Sequence, residues 1–279
     1  MINYLLGQII YPTRNPLYNL NMRRTQPDRL RRDGWLILLC GIGAAALWWL
    51  VESIMLSAIH ATLYDTVLIA LFFGTLAIML AANAFYVLSA VSAVQQEAVR
   101  GTWDLLRLTR LPANEIAAAK FAVAQVRVWR IVALELALRG AVLTLILLPA
   151  LHAGVVLAIT LTITGLLLAG MYMLEVWWRM RAVIGVGLLL ATHFANPTAA
   201  VISAALSVLG LQVLQAAFLI ICGGAALVAL RSEFTLGFIF GLPLGALIAL
   251  GGTYWFYVQA ADVALRRFSW QIGNGTAQQ

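Results

Sequence analysis

Lysine occurs once in this chain, at position 120, and that scarcity excludes a class of chemistry. A phosphate-binding loop needs G-x-x-x-x-G-K-[ST], in which the lysine reaches the phosphates. Lys120 sits in "AAAKF" with no glycine-rich loop before it, so the chain does not bind ATP through a P-loop of its own. Cysteine is nearly as rare: Cys40 and Cys222 lie in separate apolar runs, without the spacing of a metal or redox pair. HExxH, CxxC and GxSxG are all missing, so no catalytic residue is expected. His60, His152 and His193 are scattered, and no metal site is expected. His60 and His152 fall near expected outer turns, and His193 is placed close to the same face. Charge is scarce as well. Only 10% of residues are charged, against about 25% in a soluble domain.

Apolar sequence fills the space. The 279 residues are 63% hydrophobic, with a mean hydropathy of +0.92. Several runs reach the roughly 20 residues needed to cross a bilayer. This pattern predicts an all-α polytopic membrane protein. The formal net charge of +7 is then a sign of cytoplasmic loops rather than of nucleic-acid binding. The N-terminal "MINYLLGQIIYPTRNPLYNL" has too short and broken an apolar run for a signal peptide.

Residues 1–34 read as a cytoplasmic or interfacial segment carrying Arg14, Arg23, Arg24, Arg29, Arg31 and Arg32. The transmembrane region runs over 35–265 and a cytoplasmic tail over 266–279. Spans are expected at 35–59, 67–94, 131–150, 155–178 and 236–261. The third is read as the upper part of a helix starting near Asn114. The apolar stretch 182–231 is interrupted by "HFANPTAA", Gly210, Gly223 and Gly224. It admits two spans, or one span with a re-entrant segment before span six. Charge favours the second. Six spans put both termini, the 95–130 segment, Arg179, Arg181, Arg266 and Arg267 in the cytoplasm, and leave Arg231 outside. Trp35, Trp129, Trp177, Trp178 and Trp270 then fall near cytoplasmic ends, as an aromatic belt.

Three glutamates stand inside expected spans. Glu135 and Arg139 are spaced i, i+4 with the acid first, the favourable order for a same-face pair. They are either a self-neutralised structural pair or part of a substrate path or subunit interface. Glu175 pairs in the same way with Arg179. Glu52 has no local partner and is the better candidate to face a cavity.

The polar stretch "QEAVRGTWDLLRLTRLPANEIAAAK", residues 96–120, separates the second and third spans. Gly101 permits a sharp turn, Thr102 is a fair N-cap, and Asp104 favours the first turn of a short helix. "TWDLLRL" offers Trp103, Leu105 and Leu106 for packing, and Pro112 ends that helix. Asn114 can cap the next helix, with Glu115 in its first turn.

This stretch resembles the cytoplasmic elbow of the permease subunits of type-2 ABC exporters. Their pattern runs roughly E-x-x-x-G-T-x-E-x-L-L-x-T-P-L-S-x-x-E-I-x-x-G-K. Glu97, Gly101, Thr102, Leu106, Thr109, Leu111, Glu115, Ile116 and Lys120 fall on it, Leu105 and Leu106 supply its leucine pair one place early with Arg107 following, and Asp104 stands for the usual Glu. Arg110 replaces Pro, Pro112 replaces Ser and Ala119 replaces Gly, so the local turn departs from the pattern. The match covers about a tenth of the chain.

The resemblance implies a permease subunit of an ATP-driven exporter in the inner (plasma) membrane. Its elbow would act as a coupling helix seated on a separate ATPase subunit, which would hold ATP and Mg. A second permease copy or paralogue would complete a homo- or heterodimer, and the chain itself would be a transport subunit, not an enzyme. Two alternatives stand beside it: a scaffold or assembly subunit of a larger bilayer complex, and a proton-driven secondary transporter using Glu52 or Glu135. No internal repeat supports the last. Reporter tags at Gln279 and within 95–120 should read cytoplasmic, and a tag at His152 external; a C-terminal tag read outside removes the six-span arrangement.

Overall fold

The computed structural model describes residues 17, 32–39, 41–43, 46, 57–99, 111–150, 155–231 and 235–274. Five long helices account for nearly all of them: α1 (Ser57–Val99), α2 (Ala113–Ala150), α3 (Val155–His193), α4 (Pro197–Arg231) and α5 (Thr235–Asn274). No strand occurs among the described residues. Among the described residues three helices are long and apolar enough to cross a membrane, over Ile69–Glu97, Pro197–Gly224 and Gly241–Asn274. The chain is an all-α protein with membrane-helix character.

The starts of α2 and α4 fall where sequence chemistry puts them. Pro112 lacks an N–H and cannot extend a helix backwards, but its carbonyl accepts the amides of Glu115 at 2.9 Å and Ile116 at 3.3 Å. Pro112 is therefore the cap. Asn114 lies one step inside the helix, where its Oδ1 accepts the Glu115 amide at 3.0 Å. At the start of α4, Asn196 is a conventional N-cap, its Oδ1 accepting the Thr198 amide at 2.9 Å.

Two expectations are corrected in the second half. "WWRMR" does not end the helix that holds it. α3 runs unbroken for 39 residues from Val155 to His193, with Trp178, Arg179, Met180 and Arg181 all buried. Trp178 packs edge-to-face on Tyr254 rather than standing in an interfacial belt, whereas Trp35 and Trp270 are exposed. The expected breaks within 182–231 reduce to one: the α3 extension, a turn at 194–196 and the single 35-residue helix α4 occupy it. Gly210, Gly223 and Gly224 sit inside α4, because a helical glycine costs only about 1 kcal/mol against alanine.

Packing is unequal. All five helices enter the core, α4 only through the small side chains of Ala200, Ala204 and Val208, and α3 and α5 contact one another along the greatest length. Within the α4 span only Ala200, Ala204 and Val208 are buried, leaving Ile202, Leu206, Leu209, Val213, Leu214, Ile220 and Ile221 exposed. A short helical stretch at 32–39 runs beside α2 in the same direction. Asp33 pairs with Arg130, Gly34 faces the Trp129 ring, and further on Gly41 faces Ala137.

The end of the bundle nearest the elbow is tied together. The buried Gln95 amide near the end of α1 donates at 2.9 Å to both Ala191 O and Phe194 O, capping α3. Thr192 meets Gln271 of α5, and Gly273 lies beside Ala113. His193 therefore belongs to the elbow end, not to the opposite face expected for it. The backbones of α1 and α3 approach closely where Gly187 faces α1: a Cβ there would stand 2.7 Å from that of Ala90. Gly187→Val should force the two helices apart and lower stability by about 1–3 kcal/mol, read as thermal unfolding in detergent. An unchanged midpoint would mean that this contact does not set their spacing.

Candidate functional site

The sequence predicts two glutamate–arginine pairs, one on each of two helices. The fold makes them one site. α2 and α3 are antiparallel, and their i, i+4 pairs face one another. Arg139 Nη2 lies 2.7 Å from Glu135 Oε1 on its own helix and 2.6 Å from Glu175 Oε2 across the gap. Arg179 pairs with Glu135 across the gap. Its Nε stands 2.9 Å from Glu175 Oε1, an ion-pair contact without the direction of a straight hydrogen bond. Each arginine thus touches both glutamates. Relative exposure is 0% for Glu135, 3% for Arg139, 7% for Glu175 and 0% for Arg179.

Helices α1 and α5 add direct partners to this quartet, and α4 reaches it only through Tyr257. From α1, Asn83 Oδ1 accepts from Arg179 Nη1 at 2.6 Å, the Met79 carbonyl accepts from the same nitrogen at 3.3 Å, and Tyr86 donates to Glu135 Oε2 at 3.5 Å. Tyr257 of α5 approaches Glu175 Oε1 at 3.4 Å and also bonds Gln215 of α4. The Arg139 guanidinium donates to the Tyr172 carbonyl and lies 4.4 Å over the Tyr172 ring. Four carboxylate oxygens are engaged, and the formal charges cancel. That closure matters because an isolated arginine at mid-span costs about 2.5–3.5 kcal/mol on insertion scales, and an unpaired buried charge is severely destabilising. Of the two readings open for Glu135 and Arg139, this geometry favours the structural one: the pair has no vacant oxygen to offer a substrate.

Sequence reading found Glu135 and Arg139 and gave Glu175 and Arg179 a local pairing. It assigned Arg179 to a cytoplasmic end, because the positive-inside rule counts an arginine as a loop charge. It missed Asn83, Tyr86, Gln215 and Tyr257. One signal was present: the same E-x-x-x-R spacing recurs on consecutive helices joined by a short turn, so two such pairs can meet.

The elbow forms a second cluster. Lys120, 2% exposed, makes an ion pair with Glu97, so α1 and α2 are joined at the elbow's base. Burial lowers the pKa of the Lys120 ammonium, and the Glu97 carboxylate opposes that shift. Pro112 and Glu115 form the first turn of α2. Gly101, Thr102, Trp103, Asp104, Leu105 and Leu106 lie outside the described residues, as does Glu52. The side chains of His60 and His152 are likewise outside them, and no metal-holding group of His, Cys, Asp or Glu occurs among those described.

Removing Arg139 alone should strand a negative charge in the quartet. Arg139→Ala should therefore lower stability by about 3–5 kcal/mol, while Arg139→Ala with Glu175→Ala, which restores neutrality, should recover at least half of it. Thermal unfolding in detergent makes the comparison, and equal losses would show that charge balance is not what the quartet supplies. The account rests on this chain's own geometry, since it matches no family model, no curated protein and no solved structure.

Proposed function

We propose that this chain is the membrane permease subunit of an ATP-driven ABC exporter. Its six spans leave both termini in the cytoplasm of a cell whose inner (plasma) membrane holds the complex. The first span would lie in 35–56, and α1 to α5 would supply the others. The 95–120 elbow seats on a separate ATPase subunit, which carries ATP and Mg. A second permease copy or paralogue completes the assembly, and substrate passes through or along their interface.

The observation that carries this reading is the Glu97–Lys120 ion pair. These residues are the first and last positions of the elbow pattern, and they meet at the base of the segment between them. Closing a loop at its base lowers the ordering cost of docking the segment between. The clamp of Gln95 on Ala191 and Phe194 lends further support, because it links the elbow's root to the α3–α4 turn. A proton-driven mechanism through Glu135 gains nothing from the quartet, in which that carboxylate is fully paired.

The tip supplies the test. Buried aromatic and apolar anchors commonly contribute about 2 kcal/mol or more each to an interface, roughly 30-fold in affinity. Trp103→Ala and Leu106→Asp should release a copurifying P-loop ATPase, or abolish substrate-stimulated ATP hydrolysis in reconstituted vesicles, while membrane insertion stays normal. Lys120→Met should weaken coupling by loosening the elbow's base. Unchanged ATPase retention and coupling in all three variants would reduce the elbow to a loop and remove the reading.

A further inference from the structure

The quartet has a property that neutrality alone does not require: it is directional. On antiparallel helices, Glu135 stands level with Arg179, and Arg139 level with Glu175. Neighbouring contacts keep the same register, with Arg139 on the Tyr172 carbonyl and Gly140 beside Met173. One helical turn is about 5.4 Å, close to the separation of residues four apart along a helix. A slip of one turn in one direction would set Glu135 level with Glu175 and leave both arginines unpaired across the gap. A slip in the other would set Arg139 level with Arg179 and leave both glutamates unpaired. Either way, like charges meet in a water-free interior, where repulsion is poorly screened.

We infer that the Glu135–Arg139–Glu175–Arg179 ladder is a register lock that makes α2 and α3 one moving body and forbids one-turn sliding between them. One-turn ratchets are a recognised way for packed helices to switch state, and this arrangement removes that route for this pair. Motion delivered to the start of α2 is then carried as a tilt of α2 with α3. α1 is drawn along through Asn83 and Tyr86. α5 has a looser attachment to the ladder, the single hydroxyl of Tyr257. The inference concerns helix mechanics and holds whatever docks at the elbow.

Disulfide mapping in the full-length chain, with Cys40→Ala and Cys222→Ala as background, tests it. Gly140→Cys with Met173→Cys reports the native register; Gly140→Cys with Ala169→Cys, or with Trp177→Cys, reports a one-turn slip in either direction. Two neutralised variants are compared in reconstituted vesicles. Glu135→Gln with Arg179→Gln leaves the Arg139–Glu175 rung across the gap, and only the native cross-link should form. Glu135→Gln with Arg139→Gln leaves no charge pair between the helices. There the slipped cross-links should rise by about tenfold or more, as loss of a buried rung implies.

A charge-reversal set provides the second arm. Reversing one helix, Glu135→Arg with Arg139→Glu, places like charges level and should abolish the native cross-link or accumulation of the protein. Adding Glu175→Arg with Arg179→Glu rebuilds the ladder with inverted rungs and should restore both. Every variant in both arms is net neutral across the quartet, so charge balance cannot account for the differences. Equal slippage in the two neutralised variants, or a fourfold reversal that accumulates and cross-links no better than the single-helix reversal, would overturn the lock.

Discussion

Four charges buried among apolar helices can persist only by cancelling one another, and the bundle is arranged so that they do. A bilayer interior offers no water to an exposed carboxylate or guanidinium, so every acceptor and donor must find its partner within the protein. Glu135 and Glu175 meet that demand with two arginines and two tyrosines. The requirement reaches outward from α2 and α3. Arg179 needs Asn83 and the Met79 carbonyl, so α1 must pack where it does, and Tyr257 needs Gln215, so α4 must lie against α5. Apolar contact alone would hold these helices together in many neighbouring arrangements; the polar contacts choose among them.

Small side chains make that choice sterically feasible. Gly187 against Ala90 lets α1 and α3 approach closely enough for Arg179 to reach Asn83. In a membrane, where lipid tails are as apolar as leucine, close backbone approach and polar contacts are the principal means of specific helix association. The same means operate at the elbow end, where one carboxamide, that of Gln95, satisfies two carbonyls at the end of α3.

The parts of this architecture that were legible in the sequence are those governed by local chemistry. Pro112 must interrupt a helix, so the start of α2 was readable within a residue or two. The i, i+4 spacing of glutamate and arginine was readable for the same reason, because it follows from the helix itself. The cross-helix rungs were not, since they depend on which turn of α3 lies beside which turn of α2. The length of α3 was misjudged because the positive-inside rule weighs Arg179 and Arg181 as loop charges, and a buried partner such as Glu135, distant in sequence, is invisible to it. The glycines of α4 looked like breaks because isolated propensity disfavours them, yet one helix runs through all three.

The sparse burial of α4 makes the lipid itself a structural component. Its apolar stretch, Pro197–Gly224, is 28 residues long, about 42 Å at 1.5 Å per residue, whereas the hydrocarbon core is about 30 Å thick. Such an excess is accommodated by tilting or by locally thickening the bilayer. With so few protein contacts to fix its angle, α4 takes its inclination from membrane thickness more than its neighbours do. The bond between Gln215 and Tyr257 then conveys that inclination to the buried charges, so hydrophobic mismatch at the periphery is felt as hydrogen-bond geometry at the centre.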